Sequence, residues 1–327
     1  MQTRTLGRTG LTLSALGFGC GAVGGLMVRG DPAEQQRAVA MAVEHGITYF
    51  DTAPSYGDGR SEQNLGRILA ALKPDVRLGT KVRLRPEDKG RVARAIAEEI
   101  EASLQRLRRD QVDLFQLHNP ITTTGSGEAL TPETVINEVA PAFQVLRDQG
   151  KTSFLGITAV GETAALKQVI ESGCFQTAQV AYNLLNPSAG GSLPPGLAGQ
   201  DYGNLLAQMT AAGMGAIGIR VLAGGALSGT EVRHPNASLP PQPIGSGPDY
   251  AADLVRARRF AAIVQQVQAA NLAEVAIRFA LAQPALTTTL IGIATLEQFQ
   301  AALAAAEKGP LPETAMSQIR ELQDRAD

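Results

Sequence analysis

Short runs of apolar and β-branched residues alternate along the chain with longer stretches in which apolar residues recur every three or four positions. In the stretch 91–107, for example, apolar residues share one helical face and charged residues take the other. Eight runs fit short strands, at residues 16–19, 47–51, 76–81, 112–118, 152–157, 177–182, 215–221 and 287–292. Strands that alternate with helices predict a parallel sheet, and eight of them predict a closed (β/α)8 TIM barrel of the α/β class.

A further segment precedes the first of these strands. The residues TRTLGRTGLTLSA (3–15) alternate polar and apolar side chains around Gly7 and Gly10, which predicts a β-hairpin in front of the barrel. Length alone is compatible with one domain or two. Because single barrels of this kind reach this length, we predict one barrel domain over residues 1–327.

The segment LGFGCGAVGGL (16–26) has the glycine spacing of a dinucleotide-binding turn. That turn requires a helix to begin at its last glycine. Here the first helix-start signal is Asp31-Pro32, an N-cap residue followed by a first-turn proline. The helix therefore begins too late for a Rossmann fold, and we expect the glycines to form the loop after the first barrel strand.

The overall composition argues against several classes of protein. Of the 327 residues, 44% are hydrophobic and 18% are charged, and the formal net charge is −2. The chain therefore lacks the excess of positive charge that would predict binding to nucleic acid or to an anionic membrane. Cys20 and Cys174 are too few for a disulfide framework. No apolar leader follows Met1 and no run of about 18 apolar residues occurs. We expect a cytoplasmic protein that does not span a membrane.

The spacing of residues supports neither a metal site nor a phosphate-binding loop. The histidines, His45, His118 and His234, lie far apart in the sequence, so we predict no metal site. Gly150-Lys151-Thr152 resembles the end of a phosphate loop, but Val145 occupies the place of its first glycine.

Two stretches rich in Pro, Gly and Ser, 186–200 and 233–248, interrupt the regular alternation. Each follows a predicted strand and precedes a helix, so each lies at the end of the barrel where βα loops meet. Long loops there commonly build a substrate pocket. Their biased composition also fits disordered surface insertions, and the sequence leaves the two interpretations open.

Four polar residues lie at or just beyond the ends of consecutive predicted strands. Asp51, Lys81 and His118 each close a strand, and Tyr56 follows Asp51 in the next loop. Taken singly, each has a structural alternative: Asp51 as a helix cap and Lys81 as a lysine that reaches solvent. His118 fits a core histidine and Tyr56 a loop anchor. Taken together, they suit proton donation to an oxygen that gains negative charge. We expect the ammonium to lower the pKa of the tyrosine, the carboxylate to hold the ammonium, and the histidine to donate to a carbonyl oxygen.

These residues resemble the aldo-keto reductase family. GITYFDTAPSYGDGRSEQNLG (46–66) is similar to its first signature, LGTK (78–81) to its lysine segment and VDLFQLHNP (112–120) to its histidine segment. The resemblance implies a (β/α)8 barrel, bound NADP(H), and hydride transfer between this cofactor and a small aldehyde, ketone, alcohol or sugar. By position it implies that Tyr56 is the general acid. The roles of the other three residues follow in the same way: Asp51 and Lys81 as its tuning pair, and His118 as the donor that orients the carbonyl.

The resemblance also implies a set of cofactor contacts, which we expect at Asp51, Thr158, Gln179, Arg220, Leu222, Gly224, Gly292, Thr295 and Gln298. Several positions depart from the family pattern. Ala159 replaces an amide-binding asparagine, Ile219 a stacking aromatic residue and Ala302 an adenine-contacting asparagine, and the charged residues that hold a 2′-phosphate are missing. NADP(H) is therefore the expected cofactor, with NAD(H) as an alternative.

One residue-level question stays open. Arg220 fits a clamp for the cofactor pyrophosphate or for the substrate, but equally an ion pair with Asp or Glu at the barrel rim. Thr295 and Gln298 fit a capping box at a helix start. The alternative function is a non-catalytic, cofactor-binding regulatory subunit, like the channel-associated members of the same family.

Overall fold

The computed structural model describes residues 1–195, 197 and 199–325. Residues 196 and 198 of the predicted loop 186–200, and residues 326 and 327 of the predicted domain, lie outside the described residues. Within the described part, the strands are β1 (Thr3–Thr5), β2 (Thr12–Ser14), β3 (Leu16–Gly19), β4 (Tyr49–Asp51), β5 (Arg77–Val82), β6 (Val112–Leu117), β7 (Thr152–Thr158), β8 (Thr177–Ala181), β9 (Gly215–Ile219) and β10 (Leu286–Gly292).

Strands β3 to β10 form one closed barrel. Each pairs in parallel with the next along the chain, and β10 also pairs with β3, where Thr289 lies opposite Leu16 and Gly292 opposite Gly19. The predicted (β/α)8 barrel is therefore confirmed. In a barrel of this kind, all strands end on one rim, and the loops that follow them meet there.

Helices surround the barrel, and their apolar faces pack on its outside. They are α1 (Leu26–Arg29), α2 (Pro32–Glu44), α3 (Arg60–Leu72), α4 (Val92–Leu107), α5 (Pro132–Thr134), α6 (Ala140–Asp148), α7 (Thr163–Glu171), α8 (Leu205–Ala211), α9 (Tyr250–Ala257), α10 (Ala261–Gln266), α11 (Leu272–Leu281), α12 (Leu296–Glu307) and α13 (Glu313–Gln323). A short π-helix at Val135–Val139 joins α5 to α6. None of the described helices combines the length and the apolar character needed to cross a membrane.

Strand β6 shows how alternation separates the two faces of the barrel wall. Phe115 and Leu117 are fully buried in the core between the strands and the helices. Leu114 packs inside the barrel, and Gln116 reaches the carboxylate of Asp51. The two faces follow from the pleat of a strand.

The predicted N-terminal hairpin is confirmed by β1 and β2, which pair antiparallel. Its two fully buried leucines, Leu6 and Leu13, belong to a cluster inside the barrel together with Tyr49, Leu114, Ile217 and Leu290. Arg4 donates hydrogen bonds to carbonyl oxygens between the end of α11 and the first residue of β10. Arg8 donates to carbonyl oxygens of the segments before β8 and β9. The hairpin therefore closes the end of the barrel opposite the carboxyl ends of the strands.

The glycine-rich loop after β3 does not form a dinucleotide-binding turn. The four-residue helix α1 follows the glycines, and the long helix α2 begins only after the N-cap Asp31, whose side chain accepts from the amides of Ala33 and Glu34, as predicted. The loop instead lies across the end of β10. A Cβ atom on Gly24 would approach the amide nitrogen of Ile293 to 2.4 Å, so only glycine fits at this position.

The predicted strand limits differ from the structure by up to two residues. The strand expected at 215–221 ends at Ile219, because Arg220 has a φ of +57° in the left-handed region, which no strand contains. The described parts of the two long loops are joined to each other, since Asn186 donates to the carbonyl oxygen of Gly245 at 2.6 Å. Asn236 also donates to the carbonyl oxygen of Ala294, which ties the second loop to the segment after β10.

Candidate active site

A buried ion pair lies at the carboxyl ends of β4 and β5. Asp51 is the last residue of β4, and Lys81 lies near the end of β5. The side chain of Lys81 is fully buried. Its ammonium donates to Asp51 Oδ2 at 2.5 Å and to the carbonyl oxygen of Thr52 at 2.8 Å. Burial acts to lower the pKa of Lys81, but the carboxylate of Asp51 and the phenol of Tyr56 outweigh it and raise this pKa.

The second oxygen of Asp51 accepts three hydrogen bonds from inside the barrel. The donors are Tyr49 Oη at 3.1 Å, Gln116 Nε2 at 3.2 Å and Gln179 Nε2 at 2.6 Å. These contacts come from β4, β6 and β8, and together they fix the orientation of the carboxylate that holds Lys81.

Tyr56 lies in the loop between β4 and α3, and its hydroxyl reaches the same ammonium. Its amide donates to the carbonyl oxygen of Ala53, its own carbonyl accepts from the amide of Ser61, and positive φ angles at 57–59 turn the chain sharply into α3. Lys81 Nζ donates to Tyr56 Oη at 3.3 Å. The structure thus forms a continuous chain from Asp51 through Lys81 to Tyr56.

The expected lowering of the pKa of Tyr56 is not found. Burial disfavours the phenolate and raises the pKa above the ordinary value near 10, although Lys81 and Arg220 act in the opposite direction. The sequence indicated the neighbouring cation but not the burial of the phenol, in a residue that is half-buried as a whole. Tyr56 therefore remains protonated at neutral pH, which is the state a proton donor needs.

His118 completes the group of four. It follows β6 directly, and its amide donates to the carbonyl oxygen of Val82. Its ring meets the ring of Tyr56 edge-on, with centroids 5.9 Å apart. Burial, with Lys81 and Arg83 nearby, lowers the pKa of His118 to about 3. The imidazole is therefore neutral at physiological pH and carries one N–H group.

The expected nicotinamide contacts lie on adjacent strands of this mouth. Thr158 ends β7 and Gln179 lies in β8, one strand further. Two polar atoms here are buried without a hydrogen-bond partner among the described residues: Thr158 Oγ1 and Gln116 Oε1. Unpaired polar atoms at the mouth fit a site that receives a polar ligand. A Cβ on Gly21 would approach no atom closer than Tyr56 at 4.0 Å, so the glycine-rich loop leaves space beside the phenol.

The expected contacts after β9 lie in a tight turn. Leu222 precedes the short 3₁₀ segment Ala223–Gly225, in which Gly224 has a φ of +68°. The guanidinium of Arg220 lies against Gly224. Burial lowers the pKa of Arg220, while Tyr56 and Asp253 act in the opposite direction, so its role as a clamp or as a rim partner stays a prediction.

The expected adenosine-phosphate end lies at the start of α12, just after Gly292. Thr295 caps this helix by accepting from the amide of Gln298 at 3.2 Å. Gln298 accepts from the amide of Ala294 rather than from that of Thr295, so the capping box is shifted by one residue. The next amide, of Leu296, donates to the carboxylate of Glu34 at 2.8 Å. An acidic side chain from α2 therefore already occupies a helix start that would suit a phosphate.

Sequence reasoning missed three contributors to the site. Tyr49 and Gln116 donate to Asp51, and Glu34 lies on the start of α12. The first two share the strand parity of Asp51 and His118, respectively, which is the signal that could have indicated them. Glu34 is 262 residues away in sequence from its partner, and no local pattern marks it. Among the described residues no group of three or more His, Cys, Asp or Glu side chains is arranged to hold a metal ion.

Comparisons with known proteins identify relatives of this chain. A model of the Aldo/keto reductase family matches residues 15–324. The chain is 37% identical over 166 residues to L-galactose dehydrogenase from Arabidopsis thaliana, covering 49% of each protein. It is 32% identical over 162 residues to a probable voltage-gated potassium channel subunit beta from the same plant, covering 48% of this chain and 46% of the relative. The chain therefore matches about half the length of these two curated relatives.

A solved structure shares the whole fold. The aldo-keto reductase AKR11C1 from Bacillus halodurans, in its holo form, superposes with a TM-score of 0.74 at 24% sequence identity, covering 100% of this chain and 98% of that chain. At this identity the likeness concerns the arrangement of the barrel and its helices.

Proposed function

Since the chain belongs to the aldo/keto reductase family, we propose that it is an oxidoreductase that transfers hydride between a nicotinamide cofactor and a small aldehyde or ketone. The observation that carries this proposal is the hydrogen-bonded chain from Asp51 through Lys81 to Tyr56 at the barrel mouth. In the opposite direction the substrate is the corresponding alcohol or sugar.

In this proposal Tyr56 is the general acid. Its phenol stays protonated because burial raises its pKa, so it can donate its proton to the carbonyl oxygen as the C=O π bond is lost. The ammonium of Lys81 lies 3.3 Å from the phenol oxygen and stabilises the phenolate that remains. Asp51 keeps this ammonium charged and in place.

His118 acts as a neutral donor to the same oxygen. Its lowered pKa leaves one ring N–H available across the physiological range. The ring lies edge-on to Tyr56, which brings the two side chains together at the mouth. Two donors at one oxygen stabilise the negative charge that develops there during reduction.

A bound nicotinamide would supply the hydride that the carbonyl carbon receives. The residues that would hold its ring are Asp51, Thr158 and Gln179, and the unpaired Thr158 Oγ1 fits such a contact. Leu222, Gly224 and Arg220 would line its middle part, and Gly292, Thr295 and Gln298 its phosphate end. NADP(H) is the family expectation. NAD(H) is the alternative because basic residues are missing at 292 and 298 and Glu34 occupies the amide of Leu296.

A second candidate function is supported by one comparison. The relative named as a channel subunit beta suggests a cofactor-binding regulatory protein on the same barrel. Against this candidate, the four polar residues are all present and in contact. The two functions predict different results when Tyr56 is replaced, because only an enzyme that uses Tyr56 as its general acid would lose turnover.

The test is the Tyr56→Phe variant, assayed with both reduced cofactors and a panel of small aldehydes. Phenylalanine keeps the packing of the ring and removes only the acidic proton, so we expect kcat to fall by about 10²- to 10⁴-fold. The Kd of the cofactor, measured by fluorescence titration, should hardly change. Lys81→Met should lower kcat in the same way, because it removes the charge that stabilises the phenolate.

One outcome would favour the regulatory candidate instead. In this outcome, the wild-type protein binds a nicotinamide cofactor but reduces no aldehyde on a broad panel, and the Tyr56→Phe substitution changes no measured property.

A further inference from the structure

Two of the donors to Asp51 lie one step deeper in the barrel than the mouth. Tyr49 precedes Asp51 by two residues on β4, and Gln116 of β6 precedes His118 by two. Both donor side chains are fully buried. Tyr49 Oη and Gln116 Nε2 donate to Asp51 Oδ1 at 3.1 and 3.2 Å, whereas Lys81 donates to Oδ2. The two donors therefore approach the carboxylate at the oxygen that does not contact the ammonium.

The neighbouring strands carry glycines at the places where these donors cross the barrel. A Cβ atom on Gly79 of β5 would lie 2.3 Å from Tyr49 Oη, and one on Gly156 of β7 would lie 3.0 Å from Cγ of Gln116. Gly156 is also the register partner of Gln116. A larger residue at either glycine would displace the donor beside it. The interior of the barrel is therefore shaped so that both side chains reach Asp51.

Packing alone does not explain the polar ends of these two side chains. The ring of Tyr49 packs in the apolar cluster inside the barrel. Gln116 Oε1 is buried without a hydrogen-bond partner among the described residues, and an unpaired buried oxygen costs free energy. Apolar side chains of similar size would fill the same space without that cost. The contact with Asp51 gives both polar groups a role.

Asp51 and Tyr56 are linked through one nitrogen atom. Lys81 Nζ donates to Asp51 Oδ2 at 2.5 Å and to Tyr56 Oη at 3.3 Å, so the carboxylate oxygen lies no farther than about 6 Å from the phenol oxygen, within the range over which a charge shifts a pKa. The ammonium also donates to the carbonyl oxygen of Thr52, and these three contacts use its three N–H groups. A change in the charge of Asp51 therefore acts on Tyr56 across a fixed distance.

The charge of Asp51 works against the ionisation of Tyr56. The other ionisable groups around the phenol and the carboxylate are Lys81, His118, Arg220, Tyr49 and Cys20. Burial raises the pKa of Tyr49 and of Cys20 and lowers that of His118, so these three groups are neutral. Burial also raises the pKa of Tyr56. Of the charged groups, Asp51 raises it further, whereas Lys81 and Arg220 lower it.

We infer that Tyr49 and Gln116 are positioning residues for the proposed reduction, which offset the charge of Asp51 and thereby make the phenol of Tyr56 a stronger proton donor. A hydrogen bond to a carboxylate oxygen stabilises part of its negative charge, so less of that charge opposes the phenolate. The consequence for turnover rests on the proposed function, because it takes Tyr56 as the general acid. The effect on the phenol itself requires no substrate.

The first measurement follows the ionisation of Tyr56 without turnover. The chain has five tyrosines, so protein made with 3-fluorotyrosine has few ¹⁹F resonances to resolve, and the fluorine brings the phenol pKa to lower pH. The resonance of Tyr56 is assigned by its absence in Tyr56→Phe and is followed against pH. We expect Tyr49→Phe and Gln116→Met each to raise the pKa of Tyr56 by at least about 0.5, and the double variant to raise it further.

The matched control is Tyr182→Phe. It removes the hydroxyl of another buried tyrosine, whose ring stacks on Phe279 of α11 on the outside of the barrel. We expect this substitution to leave the pKa of Tyr56 and the kcat unchanged.

The second measurement is the kcat for a small aldehyde at neutral pH. A weaker acid transfers its proton more slowly, so we expect kcat to fall by about 3- to 10-fold in Tyr49→Phe and in Gln116→Met. The KM of the aldehyde and the Kd of the cofactor should stay within about twofold of wild type, because both residues lie below the mouth.

Each outcome then has a distinct meaning. If no aldehyde is reduced but both substitutions raise the pKa of Tyr56, the proposed function fails and the role of the two donors stands. If the substitutions lower kcat or stability but leave this pKa unchanged or lower it, Tyr49 and Gln116 do not offset the charge of Asp51, and the inference is wrong. The two single variants test the same point independently, so a folding failure in one leaves the other decisive.

Discussion

Burial and charge act against each other at individual residues of the mouth. Burial raises the pKa of Tyr56 although a lysine touches its hydroxyl, and burial lowers the pKa of His118 with two cations nearby. Both shifts keep the neutral form of the side chain, which is the form that donates a proton or an N–H group. A donor pair of this kind requires no change of charge before the substrate binds.

The lowered pKa of His118 has a consequence for stability in acid. The unfolded chain takes up a proton on this histidine below its ordinary pKa near 6.5, whereas the folded protein does so only near pH 3. The unfolded state therefore binds more protons between these values, and stability falls as the pH is lowered through them. We expect His118 to account for a loss of about 2 kcal/mol in the free energy of unfolding between pH 7 and pH 4.5.

Urea denaturation of wild type and His118→Gln at the two pH values measures this effect. The variant should lose less stability on acidification. His234→Gln, a substitution of an exposed histidine, serves as the control and should behave as wild type. Equal losses in wild type and His118→Gln would show that His118 is accessible to protons in the folded state.

At the scale of single elements, the strand pattern and the strand ends could be read from the sequence, but contacts between elements could not. The strand at 16–19 and the helix after Asp31 were predicted correctly, because hydrophobic period and cap residues are local signals. The strand at 215–221 was predicted too long, because nothing in its pattern reveals the left-handed Arg220. The position of Glu34 on α12 depends on how two helices pack around the barrel, which no single segment encodes.

The start of α12 is where cofactor choice can be tested. Glu34 already places a carboxylate on the amide of Leu296, and a 2′-phosphate bound there would add like charge. We expect wild type to prefer NADPH over NADH by less than about a thousandfold. Glu34→Gln should tighten NADPH binding by about 5- to 30-fold and leave NADH binding nearly unchanged, because only NADPH carries the 2′-phosphate.

Titration of both reduced cofactors into each variant decides this point. Glu307→Gln, at the other end of the same helix, is the matched control and should change neither affinity. A wild-type preference for NADPH above about a thousandfold would mean that another basic residue supplies the missing charge.

At the scale of the whole molecule, the two ends of the barrel have separate tasks. The polar residues lie at the carboxyl ends of the strands, and the hairpin closes the opposite end with Leu6 and Leu13. Packing at one end and chemistry at the other is the division expected of this fold. Stability and activity should therefore respond to different substitutions.

Leu13→Ala tests this separation. The side chain is fully buried inside the barrel, so its truncation should lower the free energy of unfolding by about 3 kcal/mol. The kcat of the folded protein should remain within about twofold of wild type, because the site lies at the other end. Thr12→Ala, an exposed neighbour on β2, should have little effect on either. A large drop in kcat for Leu13→Ala at full folding would show that the two ends are coupled.

The hairpin also determines how late in protein synthesis the barrel can close. Arg4 donates to carbonyl groups that follow it by 277 to 282 residues along the chain, and β3 meets its partner β10 only after residue 292 has been made. At about 5 to 20 residues per second, a ribosome needs roughly a quarter of a minute to a minute to cover that distance. During this interval the leucines of the hairpin and the edge of β3 stay exposed on the nascent chain. Such exposed surfaces are the kind that chaperones protect and that cause aggregation when translation stalls before its end.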